Sequence, residues 1–199
     1  SLRFQSTTVH ALALRQGAVA LHGEHSRADL DRLRREAKEE DAAALYDRAL
    51  QMSDTAAVLT DIPEIDAERW SPQRYHPIAR IDPYLFPFGH PEWTGRGTDA
   101  PRFRRIFSRV LDRQLELSGT TLPTTLNDYV SFVLSSLDRR RQSGFVGLKI
   151  ASAYVRTLHF ERVDRATAEN AWRTLATAAP GQCDPVAHKA LADYLAFLI

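Results

Sequence analysis

The run Gly144-Phe145-Val146-Gly147-Leu148-Lys149-Ile150, continued by Ala151-Ser152-Ala153-Tyr154-Val155-Arg156, decides how the rest of the chain is read. Phe145 to Ile150 is a short apolar run behind a glycine, and it predicts a strand. Alternation puts Val146, Leu148 and Ile150 on one face and Phe145, Gly147 and Lys149 on the other. An aliphatic face of that kind suits a covering helix, as on a parallel sheet or the outside of a barrel. The opposite face carries one cation at the strand's carboxyl end, the edge where open parallel sheets and closed barrels bind ligands.

Two further strands precede it. Thr55-Ala56-Ala57-Val58-Leu59-Thr60-Asp61 is small and β-branched and is stopped by Pro63. Ile78-Ala79-Arg80-Ile81 ends at Asp82-Pro83. Helices fill the intervals. Asp99 caps a stripe of Phe103, Ile106, Phe107, Val110, Leu111 and Leu117, with arginines over much of the remaining surface. Thr125, with Asp128 three residues on, caps a helix burying Tyr129, Phe132, Val133 and Leu137. Asp138-Arg139-Arg140-Arg141 supplies cations to that helix's carboxyl end, and Gly144 stops it. Asp164 or Thr167 opens a helix presenting Ala168, Ala171, Trp172 and Leu175. Asp184-Pro185 opens a last one, whose stripe of Val186, Ala187, Leu191, Tyr194, Leu195 and Leu198 runs to the final residues. The stretch from Pro83 to Ala100, with Tyr84, Phe86, Phe88 and Trp93, is too aromatic for a plain linker and predicts a structured loop.

Residues 1–54 read as a helical segment, with Ser26 and Asp29 as a capping pair and the charged run Arg32 to Asp41 as a solvated face. Strands separated by helices call for parallel pairing through right-handed crossovers, an α/β architecture over 55–199. The opening Ser1-Leu2-Arg3-Phe4 and the uncapped final stripe suggest a piece of a longer protein.

Composition narrows the function classes. The 199 residues are 44% hydrophobic and 26% charged, with a net charge of +1, which gives no general argument for nucleic acid or a membrane surface. Cys183 is the only cysteine, so no intrachain disulfide forms and a cytoplasmic setting is expected. There is no glycine-rich phosphate loop, nucleophile elbow, Cys-x-x-Cys or His-x-His. His22 and His25 flank Gly23-Glu24, a turn rather than a helical ligand pair, and His10, His76, His90, His159 and His188 are scattered. What remains is polar groups at three strand ends: Asp61, Arg80 with Asp82, and Lys149 followed by Tyr154 and Arg156. In a parallel sheet these open into one mouth. A lysine there serves as a cation, a general base, a Schiff-base former or, after reaction with carbon dioxide, a carbamate metal ligand. Arginine with tyrosine suits an anionic substrate.

Gly144 to Ile150 with Ala153-Tyr154-Val155-Arg156-Thr157-Leu158 resembles the Gly-Lys and Ala-Tyr-Arg-x-Leu segment of amidohydrolase-superfamily (β/α)₈ barrels, nearest to the nodulin and glutamine-synthetase-associated group. The resemblance spans roughly Ala56 to Ile199. It implies part of a TIM barrel, strands two to four, with 1–54 as a helical insertion. It further implies a metal-dependent hydrolase activating water against a C–N or C–O bond of a small carboxylate-bearing substrate, with a divalent cofactor, zinc in the intact protein. Lys149 falls at the position of the family's carbamylated, metal-bridging lysine and is the candidate catalytic residue. Arg80, Tyr154 and Arg156 are candidate substrate-binding residues. The family's His-x-His and later ligands are absent from this sequence, so the chain alone is expected to be inactive. A homo-oligomer, a uronate-isomerase-like or decarboxylase reaction, and a non-enzymatic helical interaction module stay open as alternatives; a nucleic-acid binder using the arginine-rich helix is weaker.

Overall fold

Strands form where the short apolar runs are, but shorter than the runs themselves. β1 is Val58–Thr60, β2 is Tyr75–Arg80 and β3 is Gly147–Lys149. They make a three-stranded parallel sheet in the order β1-β2-β3, with Ile78 opposite Gly147, Ala79 opposite Leu148 and Arg80 opposite Lys149. The computed structural model describes residues 16–17, 19–20, 23, 42–61, 73–89, 100–179 and 184–199. Ser26, the 32–41 charged run, His10, His22, His25, His90, Trp93 and Cys183 lie outside them.

Two compact units emerge, Ser1–Val58 with Asp66–Tyr75, and Leu59–Ile65 with His76–Ile199. In the first, α1 spans Ala42–Met52 and ends where the Ser53 hydroxyl donates back to the Ala49 carbonyl at 2.9 Å. The second holds the core. A single turn, α2 (Asp82–Leu85), follows β2 directly, because Pro83 sits at its start and fixes φ. α3 is Ala100–Leu117, α4 Leu126–Gln142, α5 Arg165–Ala176 and α6 Pro185–Leu198. The caps expected for α4, α5 and α6 are present, whereas Asp99, expected to cap α3, lies outside the described residues. Thr125 accepts from Asp128 N, Asp164 from Thr167 N, and Asp184 from Val186 N and Ala187 N. Gly144, at φ +92°, ends the α4 turn in the left-handed region that glycine tolerates.

Packing follows the stripes. α3 buries Phe107, Leu111 and Leu115, α4 buries Tyr129, Phe132 and Val133, and α5 buries Ala168, Ala171, Trp172 and Leu175. Leu117 is exposed and Leu115 takes its place, while Val186 of α6 is exposed too. Tyr84, Leu85 and Phe86 are buried core residues, and Phe88 meets Trp172 edge to face at 4.6 Å between ring centres. The aromatic stretch therefore packs over the core. Beneath it, the Tyr129 hydroxyl donates to the Tyr84 carbonyl at 2.7 Å, and Ser136 links Tyr84 to Gln114. Such buried polar groups persist because each has a partner.

The barrel expectation is overturned. The described residues give a small mixed α/β fold with three strands and abundant helix, not an eight-stranded barrel. The physical reason lies at β3. It is an edge strand, and the face expected to carry a covering helix is open, with Val146, Leu148 and Ile150 all exposed. α5, the helix after β3, packs chiefly on α6 and turns its small residues and Trp172 toward that helix and α4.

Candidate functional site

Three strand ends meet. Asp61, the residue after β1, accepts from Arg80 Nε at 3.1 Å and Arg80 Nη2 at 2.8 Å, and from Lys149 Nζ at 2.5 Å, all on Oδ2. The register that sets Arg80 opposite Lys149 puts both side chains on one face of the parallel ladder, so one carboxylate serves both. Lys149, through its hydrogen bond, and Arg80 hold the Asp61 carboxyl below the usual carboxylate range, against a smaller opposing push from burial. The Lys149 side chain is 47% exposed, so its ion pair lies at the water's edge.

Asp82, two residues beyond Arg80, takes a different place. It is fully buried and ties down the segment after β3, accepting from Ala151 N at 2.8 Å and from the Ser152 hydroxyl at 2.5 Å. Burial raises its carboxyl above the ordinary range despite these hydrogen bonds. Asp82 therefore fixes the turn leaving β3 and, with it, the end of the strand that carries Lys149.

A small cleft, with room for about one water molecule, opens beside the cluster. Asp61, Arg80 and Arg140 of α4 line it but present hardly any polar surface to it. Ile78, Pro83, Ile106, Phe107 and Val110 form its apolar side. Arg140 stood in the sequence as one of three cations at a helix end, and that reading missed its orientation. It is nine-tenths buried, with its guanidinium over the Phe145 ring at 5.2 Å. Spacing carried the signal: Leu126, Tyr129, Val133, Ser136 and Arg140 follow one another at three and four residues and share the buried face of α4.

The other two candidates point elsewhere. Arg156 donates to Asp193 at 2.5 Å and to the Thr157 and His159 carbonyls, and its guanidinium lies over the Phe160 ring. Asp193 also accepts from Lys189 at 2.5 Å, which reaches on to Glu161. This network fastens the segment before α5 to α6. Tyr154 is exposed and stacks on Phe103 at 4.2 Å.

The described residues do not fit the metal that the family resemblance implies. Among the described residues no three His, Cys, Asp or Glu side chains come together as a metal ion needs. A carbamylated Lys149 would be an anion at the position where its amine now meets the Asp61 carboxylate, and the two would repel. Of the described histidines, His76 lies half-buried in β2, and His159 is exposed beside Glu161. His188 is buried on α6, where desolvation lowers its imidazole. Among the described residues no helix is long and apolar enough to cross a membrane. No family model, curated protein or solved structure matches this chain.

Proposed function

We propose that the chain provides the substrate-holding site of a hydrolase acting on a C–N or C–O bond of a small carboxylate-bearing molecule, the activity its resemblance to amidohydrolases implies. The observation that carries this reading is the convergence of Asp61, Arg80 and Lys149 at the carboxyl ends of the sheet, where α/β folds hold ligands. Arg80 supplies donors for a substrate carboxylate. Lys149 stands at the exposed rim as a cation able to stabilise an oxyanion developing on the attacked carbonyl. Asp61, held ionised, keeps both cations in place. No step is assigned to a metal. A cytoplasmic setting, consistent with the lone Cys183, belongs to the same reading.

The test is calorimetric binding of a panel of N-acyl amino acids and lactone carboxylates to the wild type and Lys149→Ala. The reading expects binding that weakens at least tenfold in Lys149→Ala while the thermal midpoint barely moves. A chain that binds none of the panel, or a variant with full affinity, overturns it. A second reading, a non-enzymatic interaction module, draws support from the bare aliphatic face of β3 at Val146, Leu148 and Ile150. It expects no binding of the panel and no loss of any kind on changing Lys149.

A further inference from the structure

We propose that the open edge of β3 takes up an extended segment of a partner protein, a strand that alternates aliphatic and acidic residues and joins the sheet beside Lys149. This goes beyond the hydrolase reading and needs no part of it. In the order β1-β2-β3 no described strand lies beyond β3. Successive residues of a strand turn their peptide groups to opposite sides, and only alternate ones bond to a given neighbour. Ile81 N donates to the Lys149 carbonyl at 3.0 Å, so Lys149 turns its peptide groups toward β2. The N–H and C=O of Leu148, one residue back, therefore point away from β2, into the row that a further strand pairs with. A backbone edge of this kind is the template for strand addition.

Side chains select what joins. Val146, Leu148 and Ile150 alternate on one face and are 58%, 51% and 41% exposed, whereas Ala79, opposite Leu148 on β2, is buried. The aliphatic surface is thus bare only at the last strand, and aliphatic residues of a neighbouring strand would cover it as cross-strand pairs. On the other face the charges do not balance. Arg80 and Lys149 both bond the same oxygen of Asp61, two cations against one carboxylate. Lys149 is the outer of the two, on the edge strand and half exposed. An acidic residue across from it on the joining strand meets that surplus. A second copy of β3 does not supply one, since Gly147, Leu148 and Lys149 include no acid and bring a further cation to the edge. Charge therefore favours a different chain as the occupant.

Fluorescence anisotropy of the labelled peptide Thr-Val-Glu-Val-Glu-Val-Thr, titrated with the 199-residue chain, tests this. Two further peptides serve as controls, one with lysine at both glutamate positions and one N-methylated at every valine and glutamate, which cannot donate along an edge. The acidic peptide is expected to bind at least tenfold tighter than either control and to slow hydrogen exchange of the Leu148 amide at least tenfold. Leu148→Lys is expected to weaken it at least tenfold while binding the carboxylate panel as the wild type does. Equal affinity for the N-methylated peptide, an unprotected Leu148 amide, or full affinity in Leu148→Lys overturns strand addition. Equal affinity for the lysine peptide overturns the acidic partner. A dimer in sedimentation that Leu148→Lys dissolves overturns the proposal in favour of a second copy. Should Leu148→Lys lose its cooperative melt, the three peptides on the wild type decide by the same criteria.

Discussion

Asp82 and Lys149 show how differently two charged residues near one strand end behave. Asp82 is fully enclosed and is the acceptor for Ala151 N and the Ser152 hydroxyl. Removing it strands two buried donors, each costing about 1–3 kcal/mol. Asp82→Ala is therefore expected to lose about 2–5 kcal/mol in urea unfolding, with Asp82→Asn between it and the wild type. Lys149 sits half in water, and exposed ion pairs contribute about 0–1 kcal/mol. Lys149→Ala should unfold within about 1 kcal/mol of the parent, which makes it a clean probe of function. Both residues stood in the sequence as polar groups at strand ends. Their pattern there was the same, and only the third dimension separates a carboxylate aimed at a backbone amide from an amine paired with Asp61 at the water's edge.

At the scale of elements, two large apolar side chains make the comparison. Trp172 of α5 is 2% exposed, touches Phe88 and Tyr129, and donates Nε1 to the Thr124 carbonyl at 3.0 Å. Leu148 of β3 is 51% exposed. Trp172→Ala should cost about 3–5 kcal/mol, whereas Leu148→Lys should change stability by no more than about 0.5 kcal/mol. Light scattering on heating should show less aggregation for Leu148→Lys, since a charge on an edge strand discourages strand addition. Helices were legible in the sequence because their signals are local. Thr125, Asp164 and Asp184 cap within three residues of themselves, and 3.6-residue stripes pick out Tyr129, Val133 and Trp172. The sheet was legible as strands and as parallel pairing, but not as an architecture. Nothing within Val146-Gly147-Leu148 says whether a helix will cover it, and the barrel expectation failed at that point. Arg140 was hidden for the converse reason: two flanking arginines at a helix end already had an electrostatic explanation.

For the molecule as a whole, acid should report the same carboxylates in opposite directions. The Asp61 carboxyl lies lower in the folded protein than in the unfolded chain. Its contribution is present above the unfolded value of about 3.9 and is lost as pH falls through the lower folded value. Asp82 is the reverse. Its folded value is raised, so its ionisation works against the fold, and that cost is relieved as pH falls toward the raised value. The stability gap between the wild type and Asp61→Asn should thus stay constant from pH 7 to 5 and close below about pH 4. Urea titrations at three pH values would check this; a gap that widens in acid would contradict the ion pairs drawn at Asp61.

Asp61 and Lys149 are joined across 88 residues of chain. Closing so long a loop between parallel strands is slow compared with winding the local helices, so folding of this unit should be paced by β3 finding β2. Helical intermediates would then carry every cap and stripe and yet hold nothing at the strand ends. A small acid added during refolding should leave the early helical signal untouched and favour only the last phase, trapping molecules whose topology is complete.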